Sequence, residues 1–323
     1  MRSRVAGRTG SAVPAIDRMR AEVAAGLMRK QKELPAKYFY DERGSRLFEE
    51  ITRLPEYYPT RVERALLEAR MPELVETLRP RTLIELGAGS AEKSRIILDA
   101  MRDAGTAALY VPIDVSAEFL VETAAALRAE YPGVRVMPLV ADITADFTVT
   151  EVRPGPTLFA FLGSTIGNFD EAGATALLRR VRAAMRTGDR LLLGADLDKD
   201  PAVLEAAYND ASGVTAEFNR NALRVVNREL GADFDPDAFT HRAIYDRDSR
   251  RIEMHLISKR AQTVTIPDVG AFHFREGESI RTEISCKYDR ERVDALLATA
   301  GLRVAEWWTD RDHRFALALG APA

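Results

Sequence analysis

Between residues 82 and 195 short apolar runs alternate with amphipathic stretches, and that rhythm constrains the fold more than any other feature of the chain. Residues 82–86, 109–113, 134–140, 157–162 and 190–195 read as strands. Helical patterns fill the gaps: one running through Met101, one over about 117–130 and one over 171–186. Strands that are apolar along their whole length have no solvent face. With helices between them they imply a parallel sheet covered on both sides, an α/β Rossmann-like arrangement. A helix at 290–300 stopped by Gly301, then strands at 302–308 and 315–319, complete the same layer.

The flanking segments follow other rules. Residues 16–70 read as mostly helical, with a short helix at 21–27 and another at 41–52 that places Leu47, Phe48 and Ile51 on one face. Pro55 and Pro59 enclose a stiff Glu56-Tyr57-Tyr58 corner, and Thr60 is placed to cap a helix over 61–70. Residues 198–230 read as long helices, with Leu204, Ala207, Val214 and Phe218 near helical spacing. Residues 238–284 alternate polar and apolar positions, as at 252–259 and 262–266, which is the pattern of antiparallel sheet. The expected division is a catalytic domain of residues 62–197 and 286–323, and a second α+β lobe of 14–61 and 198–285. Residues 1–13, rich in Gly, Ser and Arg, are expected to be disordered.

Several function classes are disfavoured. The net charge is −3, so no basic field attracts nucleic acid. No apolar run nears the ~20 residues that span a bilayer. The single cysteine, Cys286, excludes an internal disulfide framework and suits a reducing cytoplasmic setting. The four histidines, His241, His255, His273 and His313, form no metal-ligand spacing. No G-x-S-x-G elbow marks a nucleophile. A monomer acting on a small molecule is expected.

The strongest local signal is Leu83-Ile84-Glu85-Leu86-Gly87-Ala88-Gly89-Ser90. Glycines at the first strand-to-helix turn let a ligand approach the backbone. A dinucleotide site needs a third glycine where this chain has Glu92. Glu85, just before Gly87, would repel a pyrophosphate and suits a cationic sulfonium–ammonium ligand, which points to S-adenosylmethionine. The second strand ends in Asp114, the expected ribose partner, and the third ends in Asp142, the expected partner of an adenine amino group. For one aspartate alone, capping of the next helix is an even alternative. Lys93 either reaches a ligand carboxylate or is a solvated helix lysine. With the inserted lobe, this is the layout of a class I S-adenosylmethionine-dependent methyltransferase.

Five strings then carry a family resemblance: Lys37-Tyr38-Phe39-Tyr40-Asp41, Leu54-Pro55-Glu56-Tyr57-Tyr58-Pro59-Thr60-Arg61, the Gly87 turn with Lys93, Phe161-Leu162-Gly163-Ser164-Thr165-Ile166-Gly167-Asn168, and Thr282-Glu283-Ile284-Ser285. Together they resemble the L-histidine Nα-methyltransferase family, which makes hercynine in ergothioneine biosynthesis. The resemblance implies that Gly87, Lys93, Asp114, Asp142 and Ile143 bind S-adenosylmethionine, with Glu85 and Gly89 in the same turn. It implies that Tyr57, Asn168, Tyr208, Glu283 and Ser285 bind histidine, with Tyr40 and Met254 lining the pocket. The residue chemistry agrees. The Asn168 amide and the Tyr208 phenol suit a substrate carboxylate, and Glu283 with Ser285 suits an imidazole N–H. Taken singly, Asn168 also reads as a Gly-Asn turn, Glu283 as a surface residue, Tyr57 as a core tyrosine and Met254 as core filler. Cys286 reads as a small apolar residue.

The chemistry expected is in-line attack of an amine on a sulfonium methyl, with the protein positioning and desolvating the reactants. Tyr57 and Tyr40 are the candidate catalytic residues, an aromatic wall tolerant of a growing cation. The competing readings are a family member acting on another amine such as a tryptophan derivative, a nicotinamide oxidoreductase, and a non-catalytic sensor of S-adenosylmethionine. The polar Glu283–Ser285 pair argues against an indole, and the missing third glycine against a nicotinamide.

Overall fold

The structure is a computed structural model that describes residues 15–144 and 153–323. The expected disorder at 1–13 lies outside the described residues. In chain order the elements are helix α1 (Ala15–Leu27), strand β1 (Lys32–Glu33), α2 (Glu42–Arg53), α3 (Tyr58–Leu78), β2 (Thr82–Leu86), α4 (Glu92–Asp103), β3 (Leu109–Asp114), α5 (Ala117–Glu130), β4 (Arg135–Val136), β5 (Leu139–Val140), β6 (Thr157–Phe161), α6 (Glu171–Ala184) and β7 (Arg190–Asp196). They continue with α7 (Pro201–Tyr208), α8 (Val214–Leu230), β8 (Phe239–Asp246), β9 (Arg251–Ser258), β10 (Gln262–Ile266), β11 (Gly270–Phe274), β12 (Ser279–Cys286), α9 (Arg290–Thr299), β13 (Leu302–Thr309) and β14 (Phe315–Pro322).

The main sheet runs β13-β14-β7-β6-β2-β3-β4, with β5 also paired to β3. Strands β2 to β7 are parallel, and β14 and β13 close the edge antiparallel. Every residue of β2 and β6 is buried, as expected of strands covered on both faces. One apolar cluster gathers Leu83, Leu158, Leu192 and Leu317 with α3 and α4, and another gathers Ile84, Phe159, Leu191 and Leu193 with α6 and α9. The strand order reverses at β2, which lies between β3 and β6. Ligands of such sheets bind beyond the strand C-termini at that switch point.

A second sheet runs β1-β12-β9-β8, mostly antiparallel, and β10-β11 forms a separate hairpin. Its own apolar cluster joins α1 and α8 through Val23, Leu27, Leu223, Val226, Phe239 and Leu256. The first cluster also takes in Phe39, Tyr57, Tyr208, Ala243 and Met254, so one core runs from the main sheet to the underside of the second.

Three local readings change. The helix expected at 61–70 runs from Tyr58 to Leu78, with Pro59 in its first turn, so Thr60 is inside it rather than its cap. A proline in the first turn forfeits no hydrogen bond. The helix continues past Pro72 because Met71, Leu74 and Val75 are buried on either side. The strand expected at 134–140 is two short pieces, because Pro138 has no N–H to give the ladder. Helix α1 starts near residue 15, earlier than expected.

Candidate active site

At the C-terminal end of β2 the chain turns through Gly87 (φ 71°) and Gly89 (φ 50°) into α4. A β-carbon at Gly89 would meet nothing within 4 Å, so the space beside the turn is open. Asp114, at the end of β3, reaches across to it. One carboxylate oxygen accepts from the Gly89 N–H at 2.9 Å, and the other from the Ser116 N–H at 3.1 Å. The carboxylate therefore fixes the turn and the Ser116 residue from which α5 starts, while remaining half-buried at the cleft edge. An open glycine turn rimmed by an acidic strand end fits S-adenosylmethionine.

The other expected cofactor residues are placed less simply. Glu85 is 2% exposed and accepts from the Ser94 and Tyr110 hydroxyls. Both hydroxyls donate to the same oxygen, Oε2, which anchors the carboxylate at the base of the turn. Burial pushes its carboxyl up to about 7, against the hydrogen bonds that lower it. Lys93 is not a solvated lysine. Its Nζ lies 2.7 Å from Glu63, which is fully buried and also accepts from the Gly163 N–H at 2.8 Å. Asp142 is held by Lys37 at 2.9 Å and by the Thr144 N–H at 2.8 Å, so both its oxygens have protein partners. Ile143 is 9% exposed in the cluster with Leu86, Ile113 and Phe161.

Of the residues expected to bind substrate, Tyr40, Tyr57, Tyr208, Glu283 and Ser285 come together. Tyr57 and Tyr208 meet edge-to-face at 6.1 Å, and Tyr57 meets Phe48 at 6.2 Å. Tyr40 stands against Phe48 at 5.8 Å and Phe218 at 5.5 Å. Burial, then Glu283 and neighbouring acidic groups, raises the Tyr40 phenol far above its ordinary range. The perturbing groups include both Glu283 and Asp114, which sets Tyr40 between the two ends of the cleft. Tyr57 and Tyr208 are raised likewise, again by burial first. All three stay phenols at neutral pH.

Glu283 lies on β12, where the register against β9 shifts between Arg281 and Glu283. The bulge re-aims the side chains that follow it. Thr282, 1% exposed, donates to Asn219 at 2.7 Å, while Glu283 has no hydrogen bond to any described residue. Burial raises its carboxyl to about 7, with Lys287 the one charge that lowers it. Met254, opposite Glu283 in register, is 1% exposed and packs in the core beneath. Asn168 is half-buried in the turn Thr165–Asn168 after β6, and its amide likewise bonds no described residue. Gly167 makes this turn possible: a β-carbon there would meet the Cys286 backbone oxygen at 2.8 Å. Cys286 thus backs the turn with its main chain, and its buried thiol donates to the Phe169 carbonyl at 3.5 Å.

Sequence reasoning missed the polar layer behind these residues. Ser285 is bonded to Tyr208 Oη at 2.9 Å and to Lys287 Nζ at 2.9 Å. The Lys287 ammonium, fully buried, also donates to Tyr208 Oη at 3.2 Å and to Asp196 Oδ2 at 2.7 Å. Asp196, at the end of β7, takes a bond from Tyr58 Oη and an ion pair from Lys199 on its other oxygen, both at 2.7 Å. Burial raises the Asp196 carboxyl, but the two ammonium groups outweigh it and hold it below the ordinary range. Removing one member of such a buried pair costs about 3–5 kcal/mol, because the other charge is left uncompensated. A lysine and an aspartate so far apart in sequence carry no local motif, so no signal marked them.

The comparisons with known proteins agree with this geometry. Residues 19–322 match the family model described as histidine-specific methyltransferase, SAM-dependent. The chain belongs to this family. It is 47% identical over 304 residues to the histidine N-alpha-methyltransferase of Mycobacterium tuberculosis, covering 94% of both chains. It is 33% identical to ergothioneine biosynthesis protein 1 of Neurospora crassa, over 86% of this chain and 32% of that one. An S-adenosylmethionine-dependent methyltransferase from Clostridium acetobutylicum, 12% identical, superposes with a TM-score of 0.51 over 85% of this chain and 98% of its own. That likeness is one of fold: this family member is built on the class I methyltransferase sheet. Its cofactor is S-adenosylmethionine.

Proposed function

We propose that this family member transfers methyl groups from S-adenosylmethionine to the α-amine of L-histidine, three times over, to give hercynine. The observation that carries the reading is Glu283. It is a half-buried carboxylate with no hydrogen-bond partner among the described residues, close to Tyr40, Tyr57 and Tyr208 and set two residues from the Ser285 hydroxyl. A half-buried acceptor without a donor invites one from the substrate, and an imidazole N–H supplies it. S-adenosylmethionine supplies an activated methyl on sulfur.

The chain's own residues do the rest. Gly87, Gly89 and Asp114 hold the cofactor beside the first turn, with Asp142 and Ile143 along its adenine side and Lys93 fixing Gly163 through Glu63. Asn168 binds the substrate carboxylate, Glu283 and Ser285 bind the ring, and Tyr208, whose hydroxyl donates to Ser285 Oγ, lines the pocket beside them. Tyr57 and Tyr40 keep water out and accept a hydrogen bond from the amine, leaving its lone pair directed at the methyl carbon. The amine must be neutral to attack, and an α-amine loses its proton readily near pH 8. The proton passes to water, since the phenols are held protonated. We further propose that residues 62–197 and 286–323 act as the methyltransferase domain and that 14–61 with 198–285 form the substrate lobe. A cleft assembled from one chain and a single buried cysteine support a monomer working in the cytoplasm. Among the described residues no helix is long and apolar enough to cross a membrane.

The test is incubation with methyl-labelled S-adenosylmethionine and a mixture of all common amino acids, read by mass spectrometry. Histidine alone gaining three labels bears the reading out. Label on tryptophan or another amine instead overturns the ring assignment and leaves the fold and cofactor intact.

A further inference from the structure

Lys287 and Asp196 lie behind the substrate residues, and the arithmetic of their hydrogens has a consequence for recognition. An ammonium has three hydrogens to give and accepts nothing. Those of Lys287 are directed at Asp196 Oδ2, Tyr208 Oη and Ser285 Oγ. Both hydroxyl oxygens are thereby acceptors towards Lys287. Tyr208 and Ser285 are also bonded to each other at 2.9 Å, which consumes one of their two hydroxyl hydrogens. One hydroxyl hydrogen is left over, and no described residue accepts it. Without the ammonium, the same two hydroxyls would be free to accept from a substrate as well as to donate.

From this geometry we infer that Lys287, held by Asp196, is a positioning residue that makes the Tyr208–Ser285 hydroxyl pair a hydrogen-bond donor towards the substrate ring. With Glu283 as the acceptor two residues away, the ring site then reads one N–H and one bare nitrogen together. That is the pattern of a neutral imidazole. An indole has the N–H without the bare nitrogen, and a phenyl ring has neither. The inference rests on the histidine reading above and adds to it the source of the donor.

Asp196 is what makes the arrangement rigid. It receives Tyr58 Oη and Lys199 Nζ on one oxygen and Lys287 on the other. Its own N–H donates to Ser164 Oγ at 2.9 Å, and Ser164 is held in the left-handed region at φ 55°. The aspartate therefore ties the ammonium to the loop that carries Asn168. The fully buried amine has no freedom to turn elsewhere.

The experiment measures KM and kcat for histidine and Kd for S-adenosylmethionine in the full chain. The variants are Lys287→Met, the charge-neutral pair Lys287→Met with Asp196→Asn, the hydroxyl-free Tyr208→Phe with Ser285→Ala, and the combination of the last two pairs. The neutral pair guards against simple unfolding of the single variant. The expected result is a rise of about tenfold in KM for histidine in the neutral pair. Kd for S-adenosylmethionine should stay within about twofold, with no further rise in KM when the hydroxyls are already gone. An equal rise in KM with and without the two hydroxyls overturns the inference, as does no rise at all. If every variant lacking Lys287 fails to fold while the hydroxyl-free variant folds, Lys287 is a structural cation and the inference also falls. If the native chain does not methylate histidine, the functional reading fails first, and the two failures are distinct.

Discussion

The two ends of the cleft are built in different ways. At the cofactor end the carboxylates are met by nearby backbone: Asp114 takes the N–H groups of Gly89 and Ser116, and Asp142 takes that of Thr144. These are turn contacts, formed where strands of the parallel sheet give way to the next segment. At the ring end, Tyr57, Asp196, Tyr208, Glu283, Ser285 and Lys287 come from four separate stretches and meet only because two sheets abut. The first end is a strand-end device repeated along one sheet, and the second is an assembly of side chains drawn from two sheets. A change at the first should therefore act on cofactor affinity, and a change at the second on the amino-acid substrate.

The largest expected effect lies at the ring end. Glu283→Ala should lower kcat/KM for histidine by about a thousand-fold while Kd for S-adenosylmethionine, measured by calorimetry, hardly moves. Equal losses in both would mean that the two ends are not separate. Next, Asp114→Ala should weaken S-adenosylmethionine binding by about thirty-fold, since a charge-assisted bond to a ligand and two to the backbone are lost together. KM for histidine at saturating cofactor is the control, and a comparable rise there would break the distinction. Tyr57→Phe removes a hydroxyl that bonds no described residue, so Tm should be unchanged. Methylation should slow about fivefold, read as the proportions of mono-, di- and trimethylated product. Unchanged proportions and rates would remove its polar role.

The smallest effect is thermodynamic. The Glu283 carboxyl is raised to about 7 from an ordinary 4.5. The folded state then binds more protons than the unfolded state between those values, so stability falls as pH rises through that window. Glu283→Gln escapes this. In the ligand-free enzyme the Tm advantage of the variant should widen by about 1–3 °C from pH 5 to pH 8. A pH-independent difference would show that the carboxyl titrates normally and that the ring end is wetter than its burial indicates.

How much was legible in the sequence follows the same division. Strand β2 and helix α5 begin and end where periodicity places them, because a buried strand or an amphipathic helix writes its own pattern. The glycine turn and Asp114 were readable for the same reason. Glu85 was readable as a position beside the turn, and only the packed sheet shows Ser94 and Tyr110 anchoring one of its oxygens. The 134–140 strand failed on one proline, and the start of α3 on another that was read as a corner.

By itself the sequence determined the parallel sheet, the cofactor turn and the set of residues that resemble a histidine-binding pocket. The sheet and the turn depend on neighbours a few positions away, where spacing and residue type suffice, whereas the pocket residues rest on the family resemblance of separate strings. The tertiary structure alone decided that Lys287 lies against Asp196, that Lys93 pairs with Glu63, and that the Glu283 carboxylate has no hydrogen-bond partner among the described residues. A buried charge is tolerated only where a counter-charge arrives, and which counter-charge arrives is settled by how the two sheets pack rather than by any local run of residues.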